Sequence, residues 1–411
     1  MVLAAFVADD FTGATDALWQ FQRFGLRSRL FTQVPETLDD DYDVIGIATT
    51  ARSAPGSGSA ALAVPVLRRL AALNPELLQY KVCSTFDSSP ERGSIGAVIS
   101  AMRAESEAPL PVPVLPAQPE FGRWTAFANH FASYAGANYR LDRHDPMRHH
   151  PATPVDEADL RVHLGRQMTG DIGVLHVPLL DDVALAAALS DRMRTPETAF
   201  IVDAVRNDDL VRFGAALRAT GQPVFAVGSG GLSYGYAAAV SGAVSAPPRN
   251  DVDPPNGPLL AVSGSCSPVT ERQIQTAETN GWFSIHLDCT DVEAAVSAAL
   301  REGRHTVVYT ARGASTGAGS EDRSRRLGEL ALGAVRDGLT RRLLIAGGDT
   351  SGDIVSMAGV TAIEIVSSIS VAGLLCRTFG AGSVLDGLEV VLKGGQVGGD
   401  DFFLRVAGIQ P

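Results

Sequence analysis

Two adjacent aspartates stand near the start of the chain, in the stretch "VLAAFVADDFTGATDAL" (residues 2–18). The apolar run before Asp9 predicts a buried strand and the residues after Gly13 predict an amphipathic helix, so the acids lie at a strand's carboxyl end, where open α/β sheets bind ligands. Two carboxylates there would hold neutral hydroxyl groups or Mg²⁺, or would accept a proton from an attacking hydroxyl. The alternative is that Asp10 or Asp16 only caps the helix.

Polar side chains follow two further predicted strands of the N-terminal half, in "TTARSAP" (residues 49–55) and "YKVCSTFDSSPERGSIG" (residues 80–96). Because parallel strands end at one edge of a sheet, these residues are expected to share the crevice of the two aspartates. Arg52 could bind a carboxylate ligand in a bidentate pair, helped by the N–H groups around Gly13 and Ala14. A phosphatase of the haloacid-dehalogenase type would need Asp-x-Asp-x-Thr, which the adjacent acids do not form.

Three glycine-containing turns follow predicted strands of the C-terminal half: "AVSGSCSPVTERQI" (residues 261–274), "LLIAGGDTSGDIV" (residues 343–355) and "VVLKGGQVGGDDFF" (residues 390–403). Glycine lets the backbone approach a ligand, and N–H groups at the start of a following helix bind phosphate. Each turn alone is commonly only a tight connection. The three together predict a nucleotide site, although the chain has no GxxxxGK[ST] P-loop.

The composition excludes several classes of protein. The 411 residues carry a formal net charge of −12, which argues against a nucleic-acid or anionic-membrane surface. No stretch reaches the roughly 18 apolar residues of a membrane span, and the start of the chain does not resemble a signal peptide. The four cysteines show no paired spacing, which favours a reduced, cytoplasmic protein.

The elements that must position these residues alternate between β-like and helix-like segments along the chain. This alternation predicts an α/β protein with two domains, each a mainly parallel sheet flanked by helices, and an active site in the interdomain cleft. Prolines concentrate in "SAPPRNDVDPPNGP", so the predicted N-terminal domain spans 1–244, the linker 245–258 and the C-terminal domain 259–411.

The segment 114–160 is the exception to this alternation. It is poorly periodic, which indicates a binding loop or a small excursion that packs across the sheet end. Its His cluster "RHDPMRHHP" (residues 143–151) could bind a metal, but a loop that contacts substrate or solvent is the preferred interpretation.

Four motifs, "ADDFTGATD", "KVCSTFDSS", "SGSCSPVTERQI" and "AGGDTSG", occur in this order and resemble the four-carbon acid sugar kinase family. The resemblance covers nearly the whole chain, from Ala8 to Phe403. It implies two α/β domains, an N-terminal one for the acid sugar and a C-terminal one for ATP. It also implies transfer of the ATP γ-phosphoryl group, with Mg²⁺, to the terminal hydroxyl of an acid such as threonate, erythronate, a 3-oxo-tetronate or the branched 3-oxo-isoapionate.

The residues that the motifs assign fall into two sets. Those expected at the sugar acid are the catalytic candidates Asp9 and Asp10, of which Asp10 is preferred as the proton acceptor, and Thr12, Gly13, Arg52, Lys81, Ser84, Thr85 and Asp87. Those expected at ATP are Ser263, Gly264, Ser265, Gly347, Gly348, Asp349, Thr350, Lys393, Gly394 and Gly395.

The expected partners are thus a small sugar acid and ATP, with no nucleic acid and no membrane, and a homodimer is left open. The rival interpretations are a non-catalytic sensor of a sugar acid or nucleotide, and a sugar-acid lyase or phosphatase. The chain reads "KGGQVGG" where many relatives carry Lys-Ser-Gly-Asn-Phe-Gly, and "FGRWTAFANHF" (residues 121–131) departs from the Gly-Arg-Thr pattern of 3-oxo-tetronate enzymes. The identity of the acid therefore stays open.

Overall fold

The structure is a computed structural model that describes residues 2–36, 41–150, 152–242, 252–311, 320–370 and 373–409. It divides into two compact units, Met1–Arg29 with Val34–Ala246, and Leu30–Gln33 with Pro247–Pro411. Residues 245–251 of the predicted linker lie outside the described residues. The expected α/β class with mainly parallel sheets and flanking helices is confirmed. None of the helices in the described ranges has the length and apolarity needed to cross a membrane.

The elements of the first unit follow the predicted alternation. They are β1 (Ala4–Ala8), α1 (Phe11–Gln22), β2 (Ser28–Phe31), β3 (Val44–Ala48), α2 (Gly58–Ala71), β4 (Leu77–Lys81), α3 (Ile95–Arg103), β5 (Val112–Leu115), β6 (Arg123–Ala126), β7 (Asn129–Tyr134), β8 (Ala137–Arg140), α4 (Asp145–Arg148), α5 (Leu160–Gly165), β9 (Ile172–Leu175), α6 (Asp182–Arg192), β10 (Ala199–Val202), α7 (Asn207–Ala219), β11 (Val224–Gly228) and α8 (Gly230–Ser241).

Seven parallel strands form the sheet of the first unit, in the order β3-β1-β4-β11-β5-β10-β9. All residues of β1, β3 and β4 are buried, as expected for strands covered by helices on both faces. Because the strands run in one direction, the segments after β1, β3, β4 and β11 emerge at one edge. This edge carries the polar residues that the sequence singled out.

The aperiodic segment 114–160 forms a small antiparallel sheet of β6, β7 and β8, followed by α4. It has its own core, formed by five buried residues: Ala132, Leu141, Met147, Val155 and Ala158. The interpretation as a small folded excursion therefore describes the structure of this segment, and its role in binding stays a prediction.

The second unit contains β12 (Leu260–Ser263), α9 (Pro268–Thr279), β13 (Phe283–His286), α10 (Val292–Arg301), β14 (Thr306–Tyr309), α11 (Ser320–Arg336), β15 (Arg342–Ala346), α12 (Gly348–Met357), β16 (Ala362–Ser370), β17 (Gly373–Phe379), β18 (Glu389–Lys393) and α13 (Phe402–Val406). The strand order is β13-β14-β12-β15-β18-β17-β16. The first five strands are parallel, whereas β17 and β16 are antiparallel to their neighbours. The sequence analysis did not predict β17.

The second unit also includes four residues from the beginning of the chain. Leu30 and Phe31, at the end of β2, pair antiparallel with the first residues of β16, and the segment 30–33 groups with this unit. The predicted division of the chain at a single linker therefore does not account for residues 30–33.

Candidate functional site

The two aspartates at the end of β1 share one arginine. Arg52 lies in a short 3-10 turn after β3, and its Nε and Nη2 donate to the two carboxylate oxygens of Asp9 at 3.1 and 2.6 Å. Its Nη1 and Nη2 donate to the two oxygens of Asp10, both at 2.8 Å. Four of the five guanidinium N–H groups are thus engaged. The sequence analysis expected Arg52 to bind a carboxylate of the ligand. In the structure its guanidinium is instead paired with two carboxylates of the protein.

Asp10 caps the first helix. One carboxylate oxygen accepts the backbone N–H of Gly13 at 2.7 Å, and the other accepts the Thr12 hydroxyl at 2.5 Å. With the two bonds from Arg52, the carboxylate accepts four hydrogen bonds. The capping role that was weighed against a catalytic one is therefore present, and it fixes Asp10 at the strand end.

Asp9 has a different environment. It is only 2% exposed, and Arg52 is its hydrogen-bond donor among the described side chains. Burial raises the pKa of Asp9 to about 6, with a smaller contribution from Asp10, although Arg52 partly opposes the shift. The buried hydroxyl of Tyr80 has no hydrogen-bond partner among the described residues, and burial together with the charge of Asp9 raises its pKa. Asp9 is thus a carboxylate that can take up a proton near neutral pH.

Lys81, at the end of β4, is buried beside a second acidic group. Its Nζ lies 3.4 Å from Asp16 and donates to the carbonyl of Val82 at 3.1 Å. Asp16 also accepts the side-chain amide of Gln118 at 3.1 Å. A Cβ at Gly13 would come within 2.5 Å of an Asp10 oxygen and 3.0 Å of the Lys81 Nζ, so this position needs glycine.

The loop after β4 carries a chain of polar contacts. Cys83 Sγ lies 3.0 Å from the Thr85 hydroxyl, which donates to Asp87 at 2.5 Å. Burial alone would raise the pKa of Asp87, but the nearby charges of His150 and Arg52 and the Thr85 hydrogen bond lower it below the usual range. The predicted residues Ser84, Thr85 and Asp87 therefore lie together in one loop, with Asp87 ionised.

The backbone conformation of Phe86 in this loop was not predicted. Phe86 is buried at φ 58°, a conformation that costs energy for a bulky residue and that clusters at functional sites. Burial raises the pKa of Cys83 to about 11, with a further contribution from Asp87, so its thiol stays neutral and is no nucleophile.

The histidine cluster does not form a metal site in the described part of the segment. His144 is buried against the rings of Tyr134 and Tyr139, while His149 is exposed beside Asp145. His150 contacts the hydroxyl of Thr153. Over the described ranges of the chain, no group of three metal-ligating side chains is found. Part of the cluster, Asp145–Arg148, forms the helix α4 instead of the expected loop, and its contact with substrate or solvent stays a prediction.

The three glycine turns of the second unit follow adjacent parallel strands β12, β15 and β18. The N–H of Gly264 donates to Ala346 at 3.0 Å, and the N–H of Gly347 donates to Lys393 at 2.8 Å. Added Cβ atoms at Gly264 and Gly347 would lie 2.2 and 3.1 Å from the hydroxyl of Thr350. The structure thus brings the predicted nucleotide residues of all three turns together.

Two helices begin at these turns. Helix α9 starts at Pro268 behind its cap Ser267. Helix α12 starts after Gly347, whose φ is 123°, and no side chain caps it. Its first N–H groups are therefore available to an anion at the point where the glycine turns meet.

Lys393 is completely buried. Its Nζ donates to the Thr270 hydroxyl at 2.9 Å and to the carbonyls of Gly394 and Gly395 at 3.0 and 3.3 Å. Burial lowers the pKa of Lys393 to about 7. Its three hydrogen bonds hold the glycine turn, whereas the sequence analysis assigned the side chain to ATP itself. Thr270 and Gln273, which bind carbonyls of the same loop, were not predicted.

Comparisons with known proteins identify two domains and several full-length relatives. Residues 4–236 match the model of a sugar-binding N-terminal domain, and residues 260–403 match that of a nucleotide-binding C-terminal domain. A 3-oxo-isoapionate kinase of Paraburkholderia graminis is 34% identical over 98% of this chain and 93% of its own length. A 3-oxo-tetronate kinase of Methylobacterium radiotolerans is 31% identical over 97% of each.

Among solved structures, a Salmonella typhimurium LT2 protein, described as a candidate tRNA synthase, has a TM-score of 0.78 and 26% identity over 98% of both chains. A Haemophilus influenzae protein has a TM-score of 0.70 at 23% identity, which shows the fold alone. The two domain models and the full-length relatives confirm the resemblance: the chain belongs to the four-carbon acid sugar kinase family.

Proposed function

We propose that this kinase uses Mg²⁺-ATP to phosphorylate the terminal hydroxyl of a small sugar acid. The observation that carries the proposal is that three glycine turns of the nucleotide-binding domain meet at the uncapped start of α12, while the sugar-binding domain holds the buried carboxylate of Asp9 at the end of β1. Burial raises the pKa of Asp9 to about 6. A general base works best when its pKa lies near the operating pH.

The transfer balances as a single displacement. The substrate hydroxyl oxygen bonds to the γ-phosphorus, the bond from that phosphorus to the bridging oxygen breaks, ADP leaves, and the hydroxyl proton passes to Asp9. The sequence analysis preferred Asp10 for this proton, but the four hydrogen bonds that Asp10 accepts favour a positioning role for it. Arg52 would keep both carboxylates in place. Most of the catalysis would come from positioning and charge stabilisation.

Nucleotide binding is assigned to the second unit. The uncapped start of α12 and the turns at Gly264, Gly347 and Gly395 would receive the phosphates, with Lys393 holding the last turn in shape. Phosphoryl transfer requires ATP and the acid to come together. We propose that they do so in a cleft between the two domains.

Mg²⁺ would neutralise charge on the transferring phosphates. It is commonly bound by one or two carboxylates together with substrate phosphates, so the donor set need not be a cluster of protein ligands. Asp349, an exposed carboxylate in the first turn of α12, beside the buried Thr350, fits this requirement. We propose Asp349 as the residue that holds the ion.

The acid is proposed to be a 3-oxo-tetronate, threonate, erythronate or the branched 3-oxo-isoapionate, the last because the kinase of that name is 34% identical to this chain. A homodimer stays a prediction.

The test is ADP release by purified protein with Mg²⁺-ATP across these acids and their neutral sugar counterparts. Acid-dependent ADP release is expected. Acid binding in a thermal-shift assay without ADP release would favour the rival sensor. Conversion of an acid without any nucleotide would favour a lyase, and phosphate release from a phosphorylated acid would favour a phosphatase.

A further inference from the structure

Arg123, the first residue of β6, is held firmly by one end of its guanidinium. Its Nη1 donates to the carbonyls of Phe121 and Gly122 at 2.9 and 3.0 Å, and to that of Ser133 at 3.4 Å. These acceptors belong to the small sheet and the turn before it, so the guanidinium plane has a fixed orientation.

The opposite edge of the same guanidinium has no partner in the described part of the chain. Nε is buried and makes no hydrogen bond, and none is found for Nη2, among the residues that the structure describes. A buried charged donor without an acceptor is costly, and native proteins rarely retain one without a reason. The Nε–H and one Nη2–H are parallel, and this is an edge through which arginine binds a carboxylate with two hydrogen bonds.

This free edge belongs to the same part of the domain as the predicted sugar-acid residues. His130, in the neighbouring strand β7, lies 2.7 Å from the carbonyl of Ser84 through its Nε2, which ties the small sheet to the loop after β4. Burial lowers the pKa of Arg123, and the negative charge of Asp87 from this loop opposes the shift. Arg123 therefore lies within electrostatic reach of the loop.

Two buried or half-buried cationic groups near this loop, Arg52 and Lys81, already have carboxylate partners. Arg52 pairs with Asp9 and Asp10, and Lys81 pairs with Asp16. A sugar acid carries its carboxylate at one end and the reacting hydroxyl at the other. A binding site for it therefore needs a cation that is separate from the Asp9 cluster.

We propose that Arg123 binds the carboxylate of the substrate through Nε and Nη2 and so makes the enzyme specific for acid sugars. This inference rests on the proposed function and adds the group that selects the substrate class. Arg123 acts in binding and orientation and takes no part in the proton transfer.

The test compares Arg123→Lys with the matched control Arg140→Lys. Arg140 lies in the same small sheet, but its side chain is exposed and pairs with Asp142. For the acid that wild-type protein phosphorylates best, Arg123→Lys should raise KM about tenfold to a hundredfold and leave KM for ATP unchanged, because two charge-assisted hydrogen bonds are lost. The control variant should have the same KM for the acid and the same KM for ATP as the wild type.

A neutral substrate distinguishes recognition of the carboxylate by Arg123 from a purely structural role of this residue. The amide of the same acid should be a poor substrate of the wild type, and Arg123→Lys should leave its KM within about twofold, because an amide lacks the charge that arginine selects. An equal rise in KM for acid and amide would overturn the inference in favour of a purely structural role, as would an unchanged KM for the acid.

Failure of the proposed function gives a different pattern. If wild-type protein binds the acid by calorimetry without consuming ATP, the kinase proposal fails, and weaker acid binding by Arg123→Lys still supports the inference. If the variant does not fold, a crystal structure of the wild type with the acid decides. A carboxylate within about 3.2 Å of Nε and Nη2 supports the inference, and one bound elsewhere overturns it.

Discussion

Replacement of Asp9 by Asn should inactivate the enzyme and at the same time stabilise it. Asn resembles a protonated aspartate, so the variant cannot accept the hydroxyl proton, and loss of a general base typically lowers kcat by about 10²–10⁴-fold. ATP binding should persist because the glycine turns belong to the other unit. In the wild type, kcat/KM should rise with pH through about 6, the pKa of Asp9, and the variant should lack this limb.

The stability effect follows from the same pKa. Burial raises the pKa of Asp9 from 3.8 to about 6, so the folded state holds this proton more tightly than the unfolded state does. The wild type therefore loses stability as the pH rises from about 4 through about 6. Two pKa units correspond to roughly 3 kcal/mol. Relative to the wild type, Asp9→Asn should gain up to about 3 kcal/mol at pH 7.5 and almost nothing at pH 4.

The assay is urea unfolding of the two proteins at both pH values, together with ADP release. The matched control is Asp10→Ala, which removes the cap of α1 and should lose about 1 kcal/mol. A variant at Asp9 that is less stable than the wild type at pH 7.5 would refute the reasoning, because the attraction of Arg52 would then outweigh burial. Turnover close to that of the wild type would refute the assignment of the base.

Three further predictions concern residues that shape the two sites. Gly264→Ala places a Cβ 2.2 Å from the Thr350 hydroxyl and should raise KM for ATP at least about tenfold, while thermal shift shows unchanged acid binding. Lys393→Met removes three hydrogen bonds from the last glycine turn and should likewise weaken ATP binding, as calorimetry would show. Asp203 accepts two backbone N–H groups of the turn between β6 and β7, at 2.8 and 2.9 Å. Asp203→Ala removes both hydrogen bonds, so urea unfolding should show a free energy of unfolding that is lower by about 3 kcal/mol. Kinetic assays of the same variant should show a higher KM for the acid.

The parallel strands and their helices were predictable because hydrophobic periodicity is a local property. The buried strand predicted before Asp9 is β1, and the helix predicted after Gly13 is part of α1. Because parallel strands end at a common edge, the polar residues after β1, β3 and β4 could be assigned to one crevice without coordinates.

The small sheet escaped prediction for a local reason. The turn between β6 and β7 places Phe127 and Ala128 at φ 51° and 62°. Tight hairpins with two such residues usually contain Asn-Gly or Asp-Gly, so a Phe-Ala turn gives no hairpin signal. The carboxylate of Asp203, about 75 residues further along the chain, accepts the N–H groups of both residues. A tertiary contact thus stabilises what the local sequence disfavours.

The sequence by itself determined the two α/β units, the strand ends that carry polar side chains and the resemblance to a kinase family, because these depend on periodicity and on short motifs. Only the tertiary structure decided the partner of each charged group. Arg52 pairs with aspartates more than 40 positions earlier in the chain, and Arg123 keeps one edge without a partner among the described residues. Charge pairing and burial depend on distances between residues remote in sequence, and these distances also set the pKa of Asp9.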